Sequence, residues 1–287
     1  MSVHSLSPAF PTAAARMNRI DQRFAELKAA GRTGLIPFVT AGDPRADIES
    51  NLAVLRALVD AGADLVELGM PFSDPMADGP AIQRASERAL ARRVGLTRVL
   101  EIVRAFRAGD ARTPLVLMGY LNPIEIRGVA GFADEAAAAG VDGLLLVDAP
   151  QDDEALLALL QDRRLHLIRL VAPTTGPERM RALARRAGGF LYFVSMAGTT
   201  GAARVDAGAI EAQVVALRHM APVPVAVGFG IKDAESARAV AHCADAVVIG
   251  SALVDHLARA ADAAEAAQLA AQFIAPIRTA LDARQAA

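Results

Sequence analysis

The sequence predicts an α/β fold, a single-domain (β/α)8 (TIM) barrel with an extra N-terminal helix. Within its 287 residues, short apolar runs of strand length alternate with longer Ala-, Arg- and Glu-rich stretches of helical pattern, and no linker interrupts the alternation. There are eight such runs, the number that closes a parallel barrel. Each run is almost continuously apolar, as expected for strands that are covered on both faces.

An open doubly wound sheet is the alternative fold for such an alternation. That fold commonly carries GxGxxG at a strand-to-helix turn, with an acidic residue at the end of the next strand. No turn of this sequence has that pattern. The number and spacing of the strands therefore favour the barrel, and one barrel means one domain.

The predicted elements follow one another along the whole chain. The strands are 35–41, 64–70, 114–120, 143–149, 166–172, 189–195, 223–229 and 246–252. Helix candidates between them include 48–62, 154–164 and 235–243. Three similar segments, AGADLVEL, AGVDGLLL and CADAVVIG, each predict the end of a helix, a tight turn and the start of the next strand.

The first 16 residues, MSVHSLSPAFPTAAAR, are set apart by low complexity and the absence of acids. They lack the basic-then-apolar order of a signal peptide. We expect 1–16 to be a disordered N-terminal extension, with a transit-like segment as the alternative. The barrel domain is then 17–287, and Met17 opens its first helical stretch.

Composition excludes several classes of function. The net charge of −2 gives no electrostatic footprint for nucleic acid or an anionic membrane, and no apolar run reaches the length of a membrane span. The only cysteine, Cys243, excludes an intrachain disulfide and fits a reducing compartment, here the cytoplasm. The five histidines show no metal-ligand spacing, so no metal site is expected.

Glu67 is the clearest candidate for a catalytic residue. Side chains alternate along a strand, so Val66, Leu68 and Met70 share the apolar face expected to pack on helices, and Glu67 points into the barrel. No arginine or lysine occupies the matching interior positions of strands 1, 3 or 4. A buried carboxyl without a partner gains proton affinity, which favours an acid/base role over a salt-bridged structural glutamate.

Two further acids follow in the Gly/Pro-rich loop after this strand. Asp78 precedes Gly79 and Pro80, which predict the cap and first turn of a helix. Spacing alone leaves Asp78 open between a local turn or dipole role and a catalytic one. Asp74, in the SDP segment, is more simply a turn-initiating aspartate.

Other strand ends predict a pocket for a small molecule with an aromatic group. Phe38, Tyr120, Tyr192 and Phe229 lie near the ends of strands 1, 3, 6 and 7. Ordinary barrel core is the alternative interpretation, and for Phe38 taken singly it is the simpler one.

Glycines after the last strands predict a phosphate site. Gly230, Gly250 and Ser251 follow strands 7 and 8, where backbone N–H groups and a helix N-terminus commonly bind phosphate in barrels. The Gly/Thr stretch 198–201, after strand 6, has the composition of a mobile lid.

Elimination narrows the chemistry further. The only lysines, Lys28 and Lys232, do not lie at strand ends, which argues against Schiff-base aldol chemistry. The absence of a His/Cys cluster argues against a zinc aldolase. The residues therefore predict cofactor-free acid/base work on a phosphate ester that bears an aromatic ring.

The stretch ELGMPFSDPMADGP, 67–80, closely resembles the signature of the tryptophan synthase alpha subunit family. PFVTAGDP, YFVSMAGTTGA, GFGI and IGSALV are also similar to the family's strand ends, in the same order. The resemblance implies a barrel lyase that cleaves indole-3-glycerol phosphate to indole and glyceraldehyde 3-phosphate without a cofactor. It implies that Glu67 transfers the protons, that Asp78 binds the indole N–H and stabilises positive charge, and that Tyr192 lies near the glutamate.

The resemblance also implies the remaining site residues and a partner. The indole pocket and closing loop would include Phe38, Tyr120, Thr200 and Phe229, and the phosphate would be bound by Gly201, Gly230, Gly250 and Ser251. Family members associate with a pyridoxal-phosphate-dependent beta subunit, usually as an α2β2 heterotetramer, and Asp74 has a possible place at that interface.

The lid segment differs from the family's common pattern. The lid reads SMAGTTG where the family commonly has S-x-x-G-V-T-G, and Thr199 in place of valine bears only on loop closure.

A mainly non-catalytic activator of a beta subunit is the second hypothesis. The joint presence of Glu67, Asp78 and the phosphate glycines argues against it.

Overall fold

A computed structural model describes residues 17–150, 152–194, 207–228 and 230–283, with the backbone alone for 207–210. The strands are β1 Gly34–Thr40, β2 Val66–Gly69, β3 Leu115–Gly119, β4 Gly143–Leu146, β5 His166–Leu167, β6 Arg169–Val171, β7 Leu191–Val194, β8 Val225–Gly228 and β9 Ala246–Ile249. The helices are α1 Arg19–Ala29, α2 Ile48–Asp60, α3 Pro80–Ala91, α4 Leu96–Gly109, α5 Leu121–Arg127, α6 Val129–Ala139, α7 Glu154–Asp162, α8 Pro177–Arg185, α9 Ala207–Met220, α10 Ala234–Ala241, α11 Ser251–Leu257 and α12 Ala263–Asp282.

The strands form one parallel sheet in the order β5-β4-β3-β2-β1-β9-β8-β7-β6. Its two outer members, β5 and β6, are consecutive in the chain and are separated only by Ile168. β5 pairs with β4, and β6 pairs with β7, so the sheet curls into a nearly closed ring. The predicted (β/α)8 barrel is confirmed, with β5 and β6 together at the fifth of the eight strand positions.

The prediction of one uninterrupted strand at 166–172 is wrong. The backbone N–H of Ile168 still donates to Leu144 of β4 at 2.8 Å, whereas Arg169 is already in register with Leu191 of β7. The chain therefore changes hydrogen-bonding partner in the middle of the segment. This exchange closes the ring, and an apolar pattern in the sequence cannot reveal it.

Two layers of apolar side chains hold the barrel together. The larger layer lies between the strands and the outer helices. The second layer fills the barrel interior, where Leu65, Val116 and Phe190 pack together. Ile20 and Phe24 of α1 belong to this inner core, so the extra N-terminal helix closes the end of the barrel at which the strands begin.

Three buried or half-buried aspartates explain the similar segments noted in the sequence. Asp64, Asp142 and Asp245 each lie just before a strand. Each forms two hydrogen bonds with the neighbouring strand of the sheet. Their carboxylates accept backbone N–H groups from Leu35 at 3.0 Å, Leu115 at 2.8 Å and Val225 at 2.8 Å. Their own N–H groups donate to the carbonyls of the same three residues.

Each of these aspartates also pairs with an arginine. Asp64 pairs with Arg278 at 3.0 Å, Asp142 with Arg107 at 2.7 Å and Asp245 with Arg218 at 2.7 Å. We call this repeated arrangement the strand clamp. The strand clamp fixes the register of three strand pairs at the end of the barrel where the strands begin.

The predicted helices at 48–62, 154–164 and 235–243 are confirmed, and each ends two residues earlier than expected. The final residues of these patterns form the turn into the next strand. In the first of them, Ala61 is the C-cap and Gly62 has a φ of +105°. Side-chain caps at Asp47, Asp153 and Asp233 start the three helices.

Candidate active site

Glu67 lies inside the barrel on β2, as its strand face predicts. Its Cα is in register with Phe38 of β1 and Val116 of β3. The side chain is 0% exposed, and neither carboxyl oxygen has a hydrogen-bond partner among the described residues. Burial raises the pKa of Glu67 from its ordinary 4.5 to about 8. The carboxyl is therefore mostly neutral at pH 7 and able to donate a proton.

Tyr192 faces Glu67 from β7. Burial raises the pKa of its hydroxyl, and the negative charge of Glu67 raises it further. The hydroxyl lies against the backbone of β8 at Gly228, where an added Cβ would overlap it. The absence of a side chain at Gly228 thus leaves room for the tyrosine beside the catalytic candidate.

Asp78 lies in the loop 71–79, directly before α3. Gly79 is the N-cap of that helix and Pro80 is its first residue, as predicted. The half-buried carboxyl of Asp78 has its pKa raised from 3.8 to about 6 by burial, and a hydrogen bond from the Tyr120 hydroxyl acts in the opposite direction. Gln83 donates to the backbone carbonyl of Asp78 at 2.8 Å. The local bonds of Asp78 involve its backbone, while its carboxyl interacts with Tyr120 of the neighbouring strand end.

Asp78 shares a small pocket with two of the predicted aromatic residues, Phe38 and Tyr120, whereas Tyr192 does not line it. The pocket is lined by Phe38, Thr40, Gly69, Met70, Asp78, Ile82, Ser86, Met118, Gly119 and Tyr120. The Phe38 ring packs over Gly69, with its Cζ 2.5 Å from where a Cβ would stand. Gly69 is the next inward position of β2 after Glu67, so the Phe38 ring lies one inward position beyond the glutamate, towards the pocket.

The lining residues that the sequence did not anticipate include Thr40, Ile82 and Ser86, and also Met70, which was expected only on the face that packs on helices. Thr40 is on the inward face of β1, two residues after Phe38, and its buried hydroxyl has no hydrogen-bond partner among the described residues. Strand alternation could have identified it. Ile82 and Ser86 lie on α3, and only the packing of that helix over β1 brings them to the pocket.

Three of the predicted phosphate residues, Gly230, Gly250 and Ser251, lie at the same end of the barrel, after adjacent strands. β8 ends at Gly228, and Gly230 follows in an exposed turn with a φ of +51°. β9 ends at Ile249, and Gly250 is the N-cap of α11, which begins at Ser251. A Cβ on Gly79 would stand 3.8 Å from the Ser251 hydroxyl, which places that hydroxyl beside the Asp78 loop.

Some predicted residues lie outside the described ranges. These are Thr200, Gly201 and Phe229, together with the lid stretch 198–201 and the extension 1–16. Asp74 is exposed, and its carbonyl accepts the N–H of Met76 at 2.9 Å, as its turn interpretation predicts.

Metal and membrane features are absent from the part of the chain that the structure describes. It contains no cluster of three or more His, Cys, Asp or Glu side chains able to hold a metal ion. None of its helices is both long and apolar enough to cross a bilayer.

The barrel holds a mostly neutral carboxyl that has no hydrogen-bond partner within the described ranges. A second carboxyl lies in a neighbouring pocket, and glycines follow the adjacent strands. This arrangement is the site of an acid/base enzyme. The model of the tryptophan synthase alpha chain family matches residues 24–282. The chain belongs to the tryptophan synthase alpha chain family, a family of carbon–carbon lyases of tryptophan biosynthesis.

Similarity to individual proteins extends along most of the chain. The alpha chain of Laribacter hongkongensis is 56% identical over 268 residues, which are 93% of this chain and all of that protein. The alpha chain of Xanthomonas oryzae pv. oryzae is 57% identical over 93% of this chain and 99% of its own length. These similarities confirm the predicted family and the lyase activity that it implies.

Solved structures agree in fold. The alpha subunit from Legionella pneumophila superposes with a TM-score of 0.86 at 42% identity, covering 93% of this chain and 100% of that one. A mutant alpha subunit from Pyrococcus furiosus gives a TM-score of 0.77 at 37% identity, covering 86% of this chain and 98% of that one.

Proposed function

We propose that Glu67 performs both proton transfers in the cleavage of indole-3-glycerol phosphate to indole and glyceraldehyde 3-phosphate. The observation that carries this proposal is the fully buried Glu67 carboxyl, whose oxygens have no partner among the described residues and whose pKa is about 8. A neutral carboxyl can give a proton, and the carboxylate that remains can take one back.

The reaction balances with this single group. The carboxyl of Glu67 protonates carbon 3 of the indole ring, which leaves a cation delocalised onto the ring nitrogen. The Glu67 carboxylate then removes the proton from the side-chain hydroxyl. As that oxygen becomes the aldehyde, the carbon–carbon bond breaks and its electron pair restores the aromatic ring. The glutamate ends as it began, in the neutral form.

Asp78 would stabilise the intermediate. Its carboxylate, with a pKa of about 6, is mainly ionised at neutral pH and can accept the indole N–H while the ring carries positive charge. Two carboxyls with different pKa values thus take different roles. Tyr192, held against Gly228, would keep its hydroxyl near Glu67 during the proton transfers.

The other site residues would bind the two ends of the substrate. Phe38, Tyr120 and Phe229 would contact the indole ring, and Thr200 would act from the closing loop. Gly201, Gly230, Gly250 and Ser251 would bind the phosphate through backbone N–H groups and a hydroxyl. Proton transfer alone completes the reaction, so the proposal involves no cofactor and no metal.

We also propose that the domain formed by 17–287 works in the cytoplasm with a pyridoxal-phosphate-dependent beta subunit as an α2β2 heterotetramer. Exposed apolar side chains at the end of the barrel where the strands finish support such a partner, because Met76 and Ile126 are 85% and 81% exposed there. The solved neighbours include tryptophan synthase from M. tuberculosis.

Steady-state cleavage of indole-3-glycerol phosphate by Glu67→Gln tests the catalytic proposal. The amide keeps the shape of the side chain but cannot exchange the proton, so turnover should fall at least about 100-fold. Substrate binding, measured by calorimetry, should remain. Asp74→Asn is the matched control in the exposed loop and should keep its turnover. Turnover by Glu67→Gln within a few-fold of the wild type would overturn the assignment.

A further inference from the structure

We propose that the Tyr120 hydroxyl is a positioning group that holds Asp78 at the pocket and favours its carboxylate form. This role is separate from contact between the Tyr120 ring and indole. It rests on the proposed function, in which Asp78 acts as an anion.

The hydroxyl of Tyr120 joins the end of β3 to the Asp78 loop. Tyr120 is 3% exposed and is the N-cap residue of α5. Its hydroxyl oxygen accepts the backbone N–H of Ala77 at 3.0 Å. Because the oxygen is the acceptor in that bond, its hydrogen is free to be donated to the Asp78 carboxylate, on the very next residue. The hydroxyl therefore fixes the loop backbone directly beside Asp78, and its interaction with the acid lowers the pKa of that carboxyl.

The phenol itself is held by its neighbours. The Phe72 ring, from the same loop, packs against it with ring centroids 5.2 Å apart. On the backbone side, Asp148 at the end of β4 accepts the N–H of Leu121 at 2.7 Å, directly after Tyr120. The tyrosine is thus anchored by elements on both sides before it contacts Asp78, as a positioning residue must be.

The charges around Asp78 leave this hydroxyl as its main support. Burial raises the pKa of Asp78 to about 6, and the Tyr120 hydrogen bond lowers it. The acidic groups that face Tyr120 are Asp78 and Asp148. Burial raises the pKa of the Tyr120 phenol, and the two acids raise it further, to about 12. Within the described residues no arginine or lysine forms an ion pair with Asp78. Loss of the hydroxyl would therefore shift Asp78 towards its neutral form.

This shift would matter for the reaction. A neutral Asp78 could not stabilise the positive charge on the indole ring, whereas binding of the neutral ring would change little. Removal of the hydroxyl should therefore lower kcat more than it raises KM. The loss should be largest at low pH and should diminish as the pH rises.

Carbon-13 NMR titration of aspartate-labelled full-length protein tests the link without substrate. The variant Asp78→Asn identifies the resonance. In Tyr120→Phe the titration midpoint of Asp78 should rise by about one pH unit, the size expected for loss of one hydrogen bond to a charged group. Phe72→Leu, which removes the ring contact and keeps the hydroxyl, is the matched control and should leave the midpoint nearly unchanged.

The pH profile of kcat/KM for indole-3-glycerol phosphate gives the second readout. In Tyr120→Phe its acid limb should move upward with the NMR midpoint, and cleavage should recover towards the wild-type rate at pH 8. An unchanged Asp78 midpoint together with an equal loss of rate at every pH would overturn the proposal and leave Tyr120 as packing. If the wild type cleaves no substrate, the proposed function fails, while the NMR titration still decides whether Tyr120 controls Asp78.

Discussion

At the scale of single residues, the proposed catalysis depends on the position of one carboxyl, that of Glu67. Alternation along β2 is enough to point Glu67 inward, because its neighbours Val66 and Leu68 occupy the face covered by helices. The full burial of both oxygens depends on the closed ring of strands, which is a tertiary feature. The sequence could therefore predict the direction of the pKa change, and the structure gives its size.

The free energy of unfolding should depend on pH because the Glu67 carboxyl is buried. The pKa of Glu67 is about 8 in the folded chain and near 4.5 when exposed, so the folded state binds the proton more tightly. The stability that this group contributes is present below pH 4.5 and is lost as the pH rises towards 8. Glu67→Gln removes this dependence. Its free energy of unfolding relative to the wild type should grow by on the order of 2–3 kcal/mol between pH 5.5 and 7.5.

Urea unfolding of both proteins at the two pH values measures this difference. Parallel changes in the wild type and in Glu67→Gln would show that the glutamate is not held neutral by burial.

Asp78 and Asp74 mark the limit of prediction from the residues themselves. Spacing placed Gly79 at a helix cap and left Asp78 undecided, because its contact with Tyr120 joins residues far apart in the chain. Asp74 bonds locally, so a local pattern could predict its turn. Local sequence patterns thus predicted the local contacts. The pocket could not be predicted in this way, because its residues meet only in the folded chain.

At the scale of elements, all eight predicted strand positions are present, and the errors lie at their ends. The segment 166–172 divides between two neighbours at Ile168, which reflects closure of the ring. The strand clamp could not be derived from the repeated segments alone, since the arginine partners Arg278, Arg107 and Arg218 come from unrelated positions. An aspartate just before a strand was the visible signal of the clamp.

Removal of one clamp should be costly. In Asp142→Ala the N–H of Leu115 loses its side-chain acceptor, and the buried guanidinium of Arg107 loses its carboxylate partner and keeps only backbone carbonyls. We expect a loss of about 3–5 kcal/mol in the free energy of unfolding, as for other buried ion pairs that are broken on one side. Urea denaturation monitored by circular dichroism measures it.

Asp134→Ala provides the matched control for this clamp. It also breaks an Asp–Arg pair, with Arg163, but Asp134 is 64% exposed, so little change is expected. Equal effects of the two substitutions would contradict the structural role of the clamp.

At the scale of the whole molecule, the two ends of the barrel have different roles, one in stability and the other in the proposed function. The end where the strands begin carries the strand clamp and α1, and the end where they finish carries the carboxyls, the glycines and the exposed Met76 and Ile126. This division matches the general rule that barrel sites lie beyond the strand ends, while the opposite face serves stability.

The proposed partner surface follows from this division. Ile126→Asp should weaken association with the beta subunit from the same source at least about tenfold, because it places a charge in an apolar contact. The isolated chain should keep its own rate of indole release. Met220→Asp, at the opposite end of the barrel and 38% exposed, is the control. Sedimentation of the mixed subunits measures the change, and equal affinities for both variants would place the interface elsewhere.

The pH dependence of kcat/KM for indole-3-glycerol phosphate tests the central claim most directly, since it reports the free enzyme's acid and base. Cleavage needs ionised Asp78 and neutral Glu67, whose pKa values are about 6 and about 8. The rate should therefore fall below about pH 6 and above about pH 8, and Asp78→Asn should lose the acid limb while keeping the basic one. A rate that stays constant or rises from pH 7 to pH 10 would contradict proton donation by a buried, neutral Glu67.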